Sequence, residues 1–277
     1  MRAALLQLNS GDDPAANLAA TLEAVRAGVE GGAGFVLTPE VTNCVSVSRT
    51  RQRAVLAHEA QDETLRALRE AAADYGVWLL IGSLALKTDD ADGRFANRSF
   101  LIGPDGEIAA RYDKIHMFDV AVTETETFRE SDGFRPGARA VMVPTPIGRV
   151  GLSVCYDVRF PHLYRRLAKA GAEILTVPAA FSPVTGAAHW EVLLRARAIE
   201  TGCYVLAPAQ TGTHASSRGP ARQTHGHSMA VAPWGEVLVD AGTEPGVSLV
   251  DIDLSEVASA RGRVPSLSHD RSFEGPQ

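Results

Sequence analysis

Strand-like and helix-like stretches alternate along this chain, and that alternation constrains its fold more than any other feature. Short apolar runs at 35–38 and 77–81 have the length of buried strands. The stretch after Asp13 and Pro14 instead repeats its apolar residues at helical spacing. Its predicted buried face consists of Leu18, Leu22, Val25 and Val29. Because hairpins such as the one around 103–106 interrupt these units, the pattern predicts a mixed-sheet α/β fold.

The second half of the chain extends the same pattern. Helices are predicted over 161–170 and 187–201, and a hairpin is predicted over 140–155. The polar segment 123–137 has no clear period and is predicted to be a loop. The segment 211–226 is rich in Gly, Ser, His and Arg, so it is the best candidate for a mobile loop.

Composition and charge limit the class of protein. The chain has 277 residues, of which 45% are hydrophobic and 22% charged, as in an ordinary soluble globular protein. No Pro/Ser/Gly linker divides it, so we expect a single domain over 1–277. The net charge of −6 is spread without a basic block, which disfavours nucleic acid as a partner. No apolar run approaches the roughly 20 residues that cross a bilayer, so no membrane partner is expected.

Cysteine and histidine usage favours neither a disulfide framework nor a metal site. The chain has three cysteines, Cys44, Cys155 and Cys203. Their number is odd and no pair has CxxC spacing, which fits a reducing compartment such as the cytoplasm. His214, His225 and His227 are the rival metal ligands, but no HExxH or comparable spacing appears. We therefore expect neither a metal nor a cofactor.

Cys155 is the residue most suggestive of chemistry. It ends an apolar run, and a Pro-started helix begins at Pro161, so its sulfur is predicted at a strand-to-helix turn. Polar residues Tyr156, Asp157 and Arg159 follow at once, and such clusters at strand ends form sites in α/β sheets. A thiol in this place can act as a nucleophile. As an ordinary residue, Cys155 would instead be a buried apolar filler.

Glu40 and Lys114 are the upstream residues that could assist the thiol. Glu40 follows an apolar strand, and burial is expected to raise its pKa toward the range of a working general base. Lys114 lies between Asp113 and His116 and could stabilise an oxyanion. The alternatives are a solvated loop carboxylate and a surface lysine paired with Asp113. Spacing alone does not choose between these interpretations.

Three segments, taken in their order along the chain, carry a resemblance that favours the catalytic interpretation of these residues. They are Thr38-Pro39-Glu40, the segment from Tyr112 to Asp119 that contains Lys114, and the segment from Val154 to Pro161 that contains Cys155. Together they resemble the signature segments of the nitrilase, or carbon–nitrogen hydrolase, superfamily. The similarity continues through 185–200 and 226–235, so it covers nearly the whole chain. It is closest to the branch that includes deaminated glutathione amidase and ω-amidase.

The resemblance implies a fold and a set of roles. The implied fold is an αββα sandwich of two mixed sheets with helices outside. The implied triad is Glu40, Lys114 and Cys155, with Glu130 as a second glutamate that assists it. The thiolate would attack an amide and form a thioester, with the backbone N–H of Tyr156 also stabilising the oxyanion. Hydrolysis would then release an acid and ammonia.

The resemblance also implies a substrate class and leaves rivals open. The substrate would be a small amide bearing a carboxylate, which needs cationic or N–H partners. Arg159 is the first choice for that partner, and Thr185 and His189 are also assigned to substrate binding. The alternatives are another carbon–nitrogen hydrolase, either an N-carbamoyl amidohydrolase or a nitrilase, and a catalytically silent binding protein. A homodimer or higher homo-oligomer is expected.

Overall fold

The computed structural model describes residues 1–123 and 127–276, and every structural statement below concerns those residues. The strands of the first half are β1 (Arg2–Gln7), β2 (Phe35–Leu37), β3 (Trp78–Leu86), β4 (Phe95–Ile102), β5 (Ile108–Asp113), β6 (Asp119–Ala121), β7 (Thr127–Arg129) and β8 (Phe134–Arg135). Those of the second half are β9 (Val141–Thr145), β10 (Gly148–Leu152), β11 (Ile174–Thr176), β12 (Tyr204–Ala207), β13 (Thr211–Thr213), β14 (Gln223–His225), β15 (Met229–Val231), β16 (Val237–Asp240) and β17 (Gly246–Asp251). The α-helices are α1 (Pro14–Glu30), α2 (Arg49–Val55), α3 (Glu63–Tyr75), α4 (Pro161–Lys169), α5 (Pro183–Thr201) and α6 (Ser255–Arg263).

Most of these strands form two mixed sheets of similar design. The first sheet has the order β17-β1-β2-β3-β4-β5, with β8 added beside β4. The second has the order β16-β15-β12-β11-β10-β9. In each sheet three neighbouring strands run parallel, β1-β2-β3 and β10-β11-β12, and antiparallel strands flank them. The mixed pairing predicted from the sequence is confirmed.

The two sheets pack face to face with helices on the outside. Along β1, Ala3 and Leu5 point into the core shared with the second sheet, while Ala4 and Leu6 point toward α1 and α3. This alternation is the period of two that a strand buried on both faces requires. On the other side, α4 and α5 cover the second sheet. The αββα sandwich implied by the resemblance is therefore confirmed.

Three local expectations differ from the structure. The helix predicted over 187–201 begins earlier, at Pro183, because a proline at the first helical position starts a helix well. The expected loop 123–137 contains β7 and β8, and its residues 124–126 lie outside the described residues.

The buried face of α1 is also rotated relative to the prediction. It centres on Asn17, Thr21, Val25 and Gly28. Asn17 turns inward because its side chain bonds both backbone groups of Gly11 and the carbonyl of Asn43. Apolar spacing could not indicate a face whose centre is polar.

Candidate active site

Three buried side chains meet where strands of both sheets end. Glu40 lies three residues beyond β2 and Lys114 follows β5 directly, so both come from the first sheet. Cys155 lies three residues beyond β10 of the second sheet and begins a short 3₁₀ turn. Their exposed fractions are 4%, 2% and 6%, respectively. The structure thus brings together the three residues that the sequence singled out.

Lys114 is held between two carboxylates. Its Nζ lies 2.9 Å from Oε1 of Glu40, and 2.9 and 2.8 Å from the two carboxylate oxygens of Glu130. The Glu40 carboxylate accepts two further bonds, from Asn97 Nδ2 and from the backbone N–H of Ala180, each at 2.8 Å. Because each charge is paired or hydrogen-bonded, the group tolerates nearly complete burial.

The backbone of the nucleophile turn is strained. Cys155 has a φ of 49°, in the left-handed region that residues with a Cβ rarely adopt. Val41, directly after Glu40, has a φ of 47°, and such strained residues cluster at functional sites. The Cys155 N–H donates to the carbonyl of Pro178 at 2.9 Å. The next N–H, that of Tyr156, has no acceptor among the described residues and is free to bind an oxyanion.

Electrostatics fixes the resting protonation states. Burial raises the pKa of Glu40, but the Lys114 ammonium and then the Arg222 guanidinium outweigh it, so that pKa lies below its ordinary value. The expectation that the pKa of Glu40 would lie above its ordinary value is therefore wrong. Burial lowers the pKa of Lys114, but Glu130 and Glu40 more than offset that effect. Burial and then the Glu40 carboxylate hold the pKa of Cys155 well above its ordinary value. The resting site therefore contains a neutral thiol beside a carboxylate.

A buried carboxylate, that of Asp157, pins the nucleophile turn. It accepts bonds from Tyr112 Oη at 2.6 Å, from the N–H of Val154 at 2.9 Å and from the N–H of His116 at 3.0 Å. The ring of His116 adds a contact of Nδ1 with Asp157 Oδ1 at 2.7 Å. These bonds join the segment after β5, which carries Lys114, to the turn that carries Cys155. The sequence placed Asp157 in the cluster but gave no signal for this role.

The triad lies in a cavity of about 390 Å³, a size that suits a small molecule. Its lining includes the side chains of Asn97, Phe118, Phe128, Tyr156 and Phe181. Among the described residues four cationic side chains also line it, those of Arg49, Lys114, Arg129 and Arg222, together with the carboxylates of Glu40 and Glu130. Sequence reasoning missed Arg49 and Arg222, which come from the start of a short helix and from an irregular segment far apart in the chain. The only available signal for Arg222 was the Arg-rich composition of 211–226.

The residues predicted to bind substrate lie elsewhere. The structure does not place Arg159, Thr185 or His189 in the cavity lining. Arg159 lies behind the wall, with its guanidinium over the rings of Tyr156 and Phe181, and its Nη1 is 3.2 Å from His189 Nδ1. The hydroxyl of Thr185 is buried without a partner among the described residues. Arg159 and His189 thus contact each other, while direct contact with a substrate stays a prediction.

The histidines form ordinary hydrogen-bonded and stacked contacts. His214 is buried between Ser10 O and Thr224 Oγ1, and burial lowers its pKa to about 4. The rings of His225 and His227 stack at 4.5 Å. In the described part of the chain no group of three or more His, Cys, Asp or Glu side chains could hold a metal ion. Nor is any described helix long and apolar enough to cross a membrane.

Comparison with known proteins identifies the family. The family model described as carbon-nitrogen hydrolase matches residues 2–262. The chain belongs to the carbon–nitrogen hydrolase family. It is similar to the deaminated glutathione amidase of Yersinia enterocolitica, with 41% identity over 97% of this chain and 92% of the relative. It is also similar to the deaminated glutathione amidase of Synechocystis, with 40% identity over 96% and 97% of the two chains.

A solved structure agrees with this carbon–nitrogen hydrolase assignment. The crystal structure of the C. elegans NitFhit protein has a TM-score of 0.89 and 37% identity. The match covers 98% of this chain and 65% of that longer one. The sequence resemblance is confirmed, and the chain is a hydrolase of the amidase kind that acts on carbon–nitrogen bonds.

Proposed function

We propose that this carbon–nitrogen hydrolase is a cysteine-dependent amidase for small carboxylate-bearing amides of the deaminated-glutathione type. One observation carries the proposal: a buried lysine bridges two carboxylates beside a thiol, inside a cavity whose described lining includes the guanidinium groups of Arg49 and Arg222. The names of the similar relatives support the substrate class.

The first chemical step is acylation of Cys155. Glu40, ionised in the resting site, takes the thiol proton as the sulfur attacks the amide carbon. The carbonyl π electrons move onto oxygen, and the resulting oxyanion is stabilised by the Lys114 ammonium and the free N–H of Tyr156. Since burial and the Glu40 carboxylate favour the neutral thiol of Cys155, we expect proton transfer to accompany the attack.

The second step releases the amine and frees the enzyme. Glu40 returns its proton to the amide nitrogen, the C–N bond breaks and a thioester remains on Cys155. Glu40 then takes a proton from water as the water oxygen attacks the thioester carbon. The C–S bond breaks, the acid is released, and Glu40 returns the proton to the sulfur of Cys155. A primary amide releases ammonia, as expected from the sequence. An N-substituted amide such as deaminated glutathione releases an amine instead.

Glu130 acts through Lys114. Both of its carboxylate oxygens bond the ammonium, and one also accepts the Phe118 N–H at 2.6 Å. Glu130 is therefore a positioning residue that fixes the ammonium where the oxyanion develops. The Lys114 ammonium lies between the carboxylates of Glu130 and Glu40. Glu130 therefore does not take the place of Glu40 as the acceptor of the thiol proton.

Trapping the acyl-enzyme tests the proposal. Wild-type protein is mixed with deaminated glutathione, α-keto-acid amides, N-carbamoyl amino acids and nitriles, and the products and intact protein mass are followed. We expect hydrolysis of the carboxylate-bearing amides and an acyl adduct located at Cys155. Cys155→Ala should lose both adduct and turnover but keep its fold, because the change in volume is small.

The matched control is Cys44→Ala, because Cys44 is a buried thiol that lines the same cavity, and the charges that act on it are those of Asp12 and Arg51 instead of Glu40. That variant should keep the adduct. Turnover by Cys155→Ala would refute the mechanism, and preferential hydrolysis of nitriles or carbamoyl compounds would refute the substrate class. Absence of any adduct or turnover would favour a silent binding protein.

We also propose a cytoplasmic homo-oligomer. The three cysteines are free thiols, which supports a reducing compartment. On α5, Val192 and Ile199 are 67% and 56% exposed, and Trp234 lies exposed nearby. An outer helix with apolar residues on both faces supports burial against a second copy. Light scattering of the wild type and of Ile199→Glu tests this, since the variant should have a lower mass.

A further inference from the structure

We propose that Arg49 and Arg222 bind the carboxylates of the substrate and so determine the preference of the enzyme for acidic amides. This inference rests on the proposed amidase function and assigns its specificity to residues that the sequence did not indicate. Both arginines line the cavity that contains the Cys155 thiol. Both side chains are partly buried, and neither forms an ion pair with a carboxylate in the part of the chain that the structure describes.

Arg222 is anchored beside the catalytic base. Its Nη2 donates to the carbonyl of Ala180 at 2.6 Å, and the N–H of Ala180 donates to Glu40 Oε2 at 2.8 Å. The guanidinium also lies 6.0 Å from the ring centre of Phe128, another lining residue. Among the described residues no carboxylate forms an ion pair with it, so most of its N–H groups remain available to a ligand. The anchor fixes a positive charge on the wall next to the reacting centre.

Arg49 presents a second cation from the start of α2. Its Nη1 donates to Gln52 Oε1 at 2.8 Å, and its guanidinium lies 5.2 Å from the ring centre of Phe134. It also packs on the backbone of Gly133, where an added Cβ would lie 1.9 Å from the guanidinium carbon. Burial holds the pKa of Arg49 below its ordinary value, although Glu130 and Asp132 act against that effect. Its hydrogen bond to Gln52 is to a neutral group, and among the described residues it forms no direct ion pair, so its N–H groups can still take a carboxylate ligand.

The charge balance of the lining favours an anionic ligand. Lys114 is neutralised by its two carboxylates, and Arg129 is exposed on β7 and solvated. Arg49 and Arg222 therefore remain as partly desolvated cations in a protein whose net charge is −6. A buried charge without a partner is costly, and a substrate carboxylate supplies the missing partner through the planar guanidinium. A neutral amide of the same shape would leave both charges unpaired.

A matched pair of substrates measures the effect. The ratio of kcat/KM for glutaramate to that for its methyl ester reports the preference for a carboxylate. Arg222→Gln and Arg49→Gln should each lower this ratio about 10- to 100-fold, the range of a hydrogen bond to a charged group. Arg222→Lys should keep part of the preference, because it keeps the charge but loses the planar geometry. Glutarate should inhibit hydrolysis of the ester by the wild type. Its inhibition constant should be higher for both Gln variants than for the wild type.

Arg218→Gln is the control, because Arg218 lies exposed in the same segment as Arg222 but outside the lining. It should leave the ratio unchanged, and thermal unfolding should show that each variant is folded. If wild type hydrolyses neither substrate, the proposed function fails. If wild type hydrolyses both and either Gln variant keeps the wild-type ratio, the arginine pair is overturned while the amidase stands.

Discussion

The base of the cavity and its rim are built in different ways. At the base, Glu40, Lys114 and Cys155 follow strands of the two packed sheets and are almost completely buried. At the rim, Arg49 and Arg222 come from a short helix and from the segment between β13 and β14. The charges at the bottom of the cavity are paired with each other, whereas the two rim arginines form no ion pair with any described carboxylate. The chemistry is thus fixed by the scaffold, and the substrate preference by segments that can vary independently.

This comparison predicts that a change at the bottom of the cavity, where the triad lies, has the largest effect. Lys114→Met keeps the length of the side chain and removes its charge, so the oxyanion loses a donor and two buried carboxylates lose their cation. We expect kcat to fall about 10²- to 10³-fold or more, the usual cost of losing an oxyanion donor. Steady-state kinetics on acidic and neutral amides should show the same loss on both.

The control for this change is Lys87→Met, because Lys87 is partly exposed and outside the cavity lining. It should retain wild-type turnover, and circular dichroism should show that both variants are folded at the assay temperature. Activity of Lys114→Met within a few fold of wild type would mean that the ammonium has only a structural role.

A smaller effect is expected for a change in the strands that support the triad without contacting the substrate. A Cβ at Gly82 would lie 2.1 Å from the carbonyl oxygen of Thr38 and 2.5 Å from that of Pro39, so Gly82→Ala must displace the segment that leads to Glu40. Overpacking of this kind costs about 1–3 kcal/mol. Thermal and chemical unfolding should show that loss, with a parallel drop in kcat on every amide.

Gly34→Ala is the matched control, since nothing lies within 4 Å of its added Cβ. Its stability should stay close to that of the wild type. If Gly82→Ala proved as stable and active as Gly34→Ala, the segment before Glu40 would be more adaptable than the close contacts imply.

The smallest effect is expected for Arg159→Leu, behind the wall. Because Arg159 supports the rings of Tyr156 and Phe181 without lining the cavity, its loss should lower kcat/KM modestly and equally for acidic and neutral amides. The same glutaramate and ester pair provides the measurement. A loss confined to the acidic amide would instead restore Arg159 as a direct carboxylate ligand, as the sequence predicted.

The sequence predicts the base better than the rim for physical reasons. Apolar runs locate strands, and Glu40, Lys114 and Cys155 follow such runs within short segments that resemble family signatures. The sandwich itself came from that resemblance, since periodicity indicates a mixed sheet but not how two sheets pack. The predicted direction of the Glu40 pKa shift was wrong, because that shift depends on Lys114 and Arg222, which are distant in sequence.

The rim could not be predicted because its geometry depends on contacts between segments that are distant in the sequence. The position of Arg222 depends on its bond to Ala180, and that of Arg49 on the backbone of Gly133 and the ring of Phe134. None of these contacts leaves a periodic pattern. Arg159 looked more promising in sequence, because it lies close to Cys155, although its side chain packs on the rings of Tyr156 and Phe181 and does not itself line the cavity.

The pairing of β1 with β17 has a consequence for how this protein is made. Arg2 on β1 forms an ion pair with Asp251 on β17, 249 positions later in the chain. A nascent chain on the ribosome therefore has β1 as an unprotected sheet edge until residues 246–251 emerge. Exposed edges pair with foreign strands, and contacts so distant in sequence form slowly. Biogenesis of this enzyme should consequently depend on chaperones that shield β1 during translation.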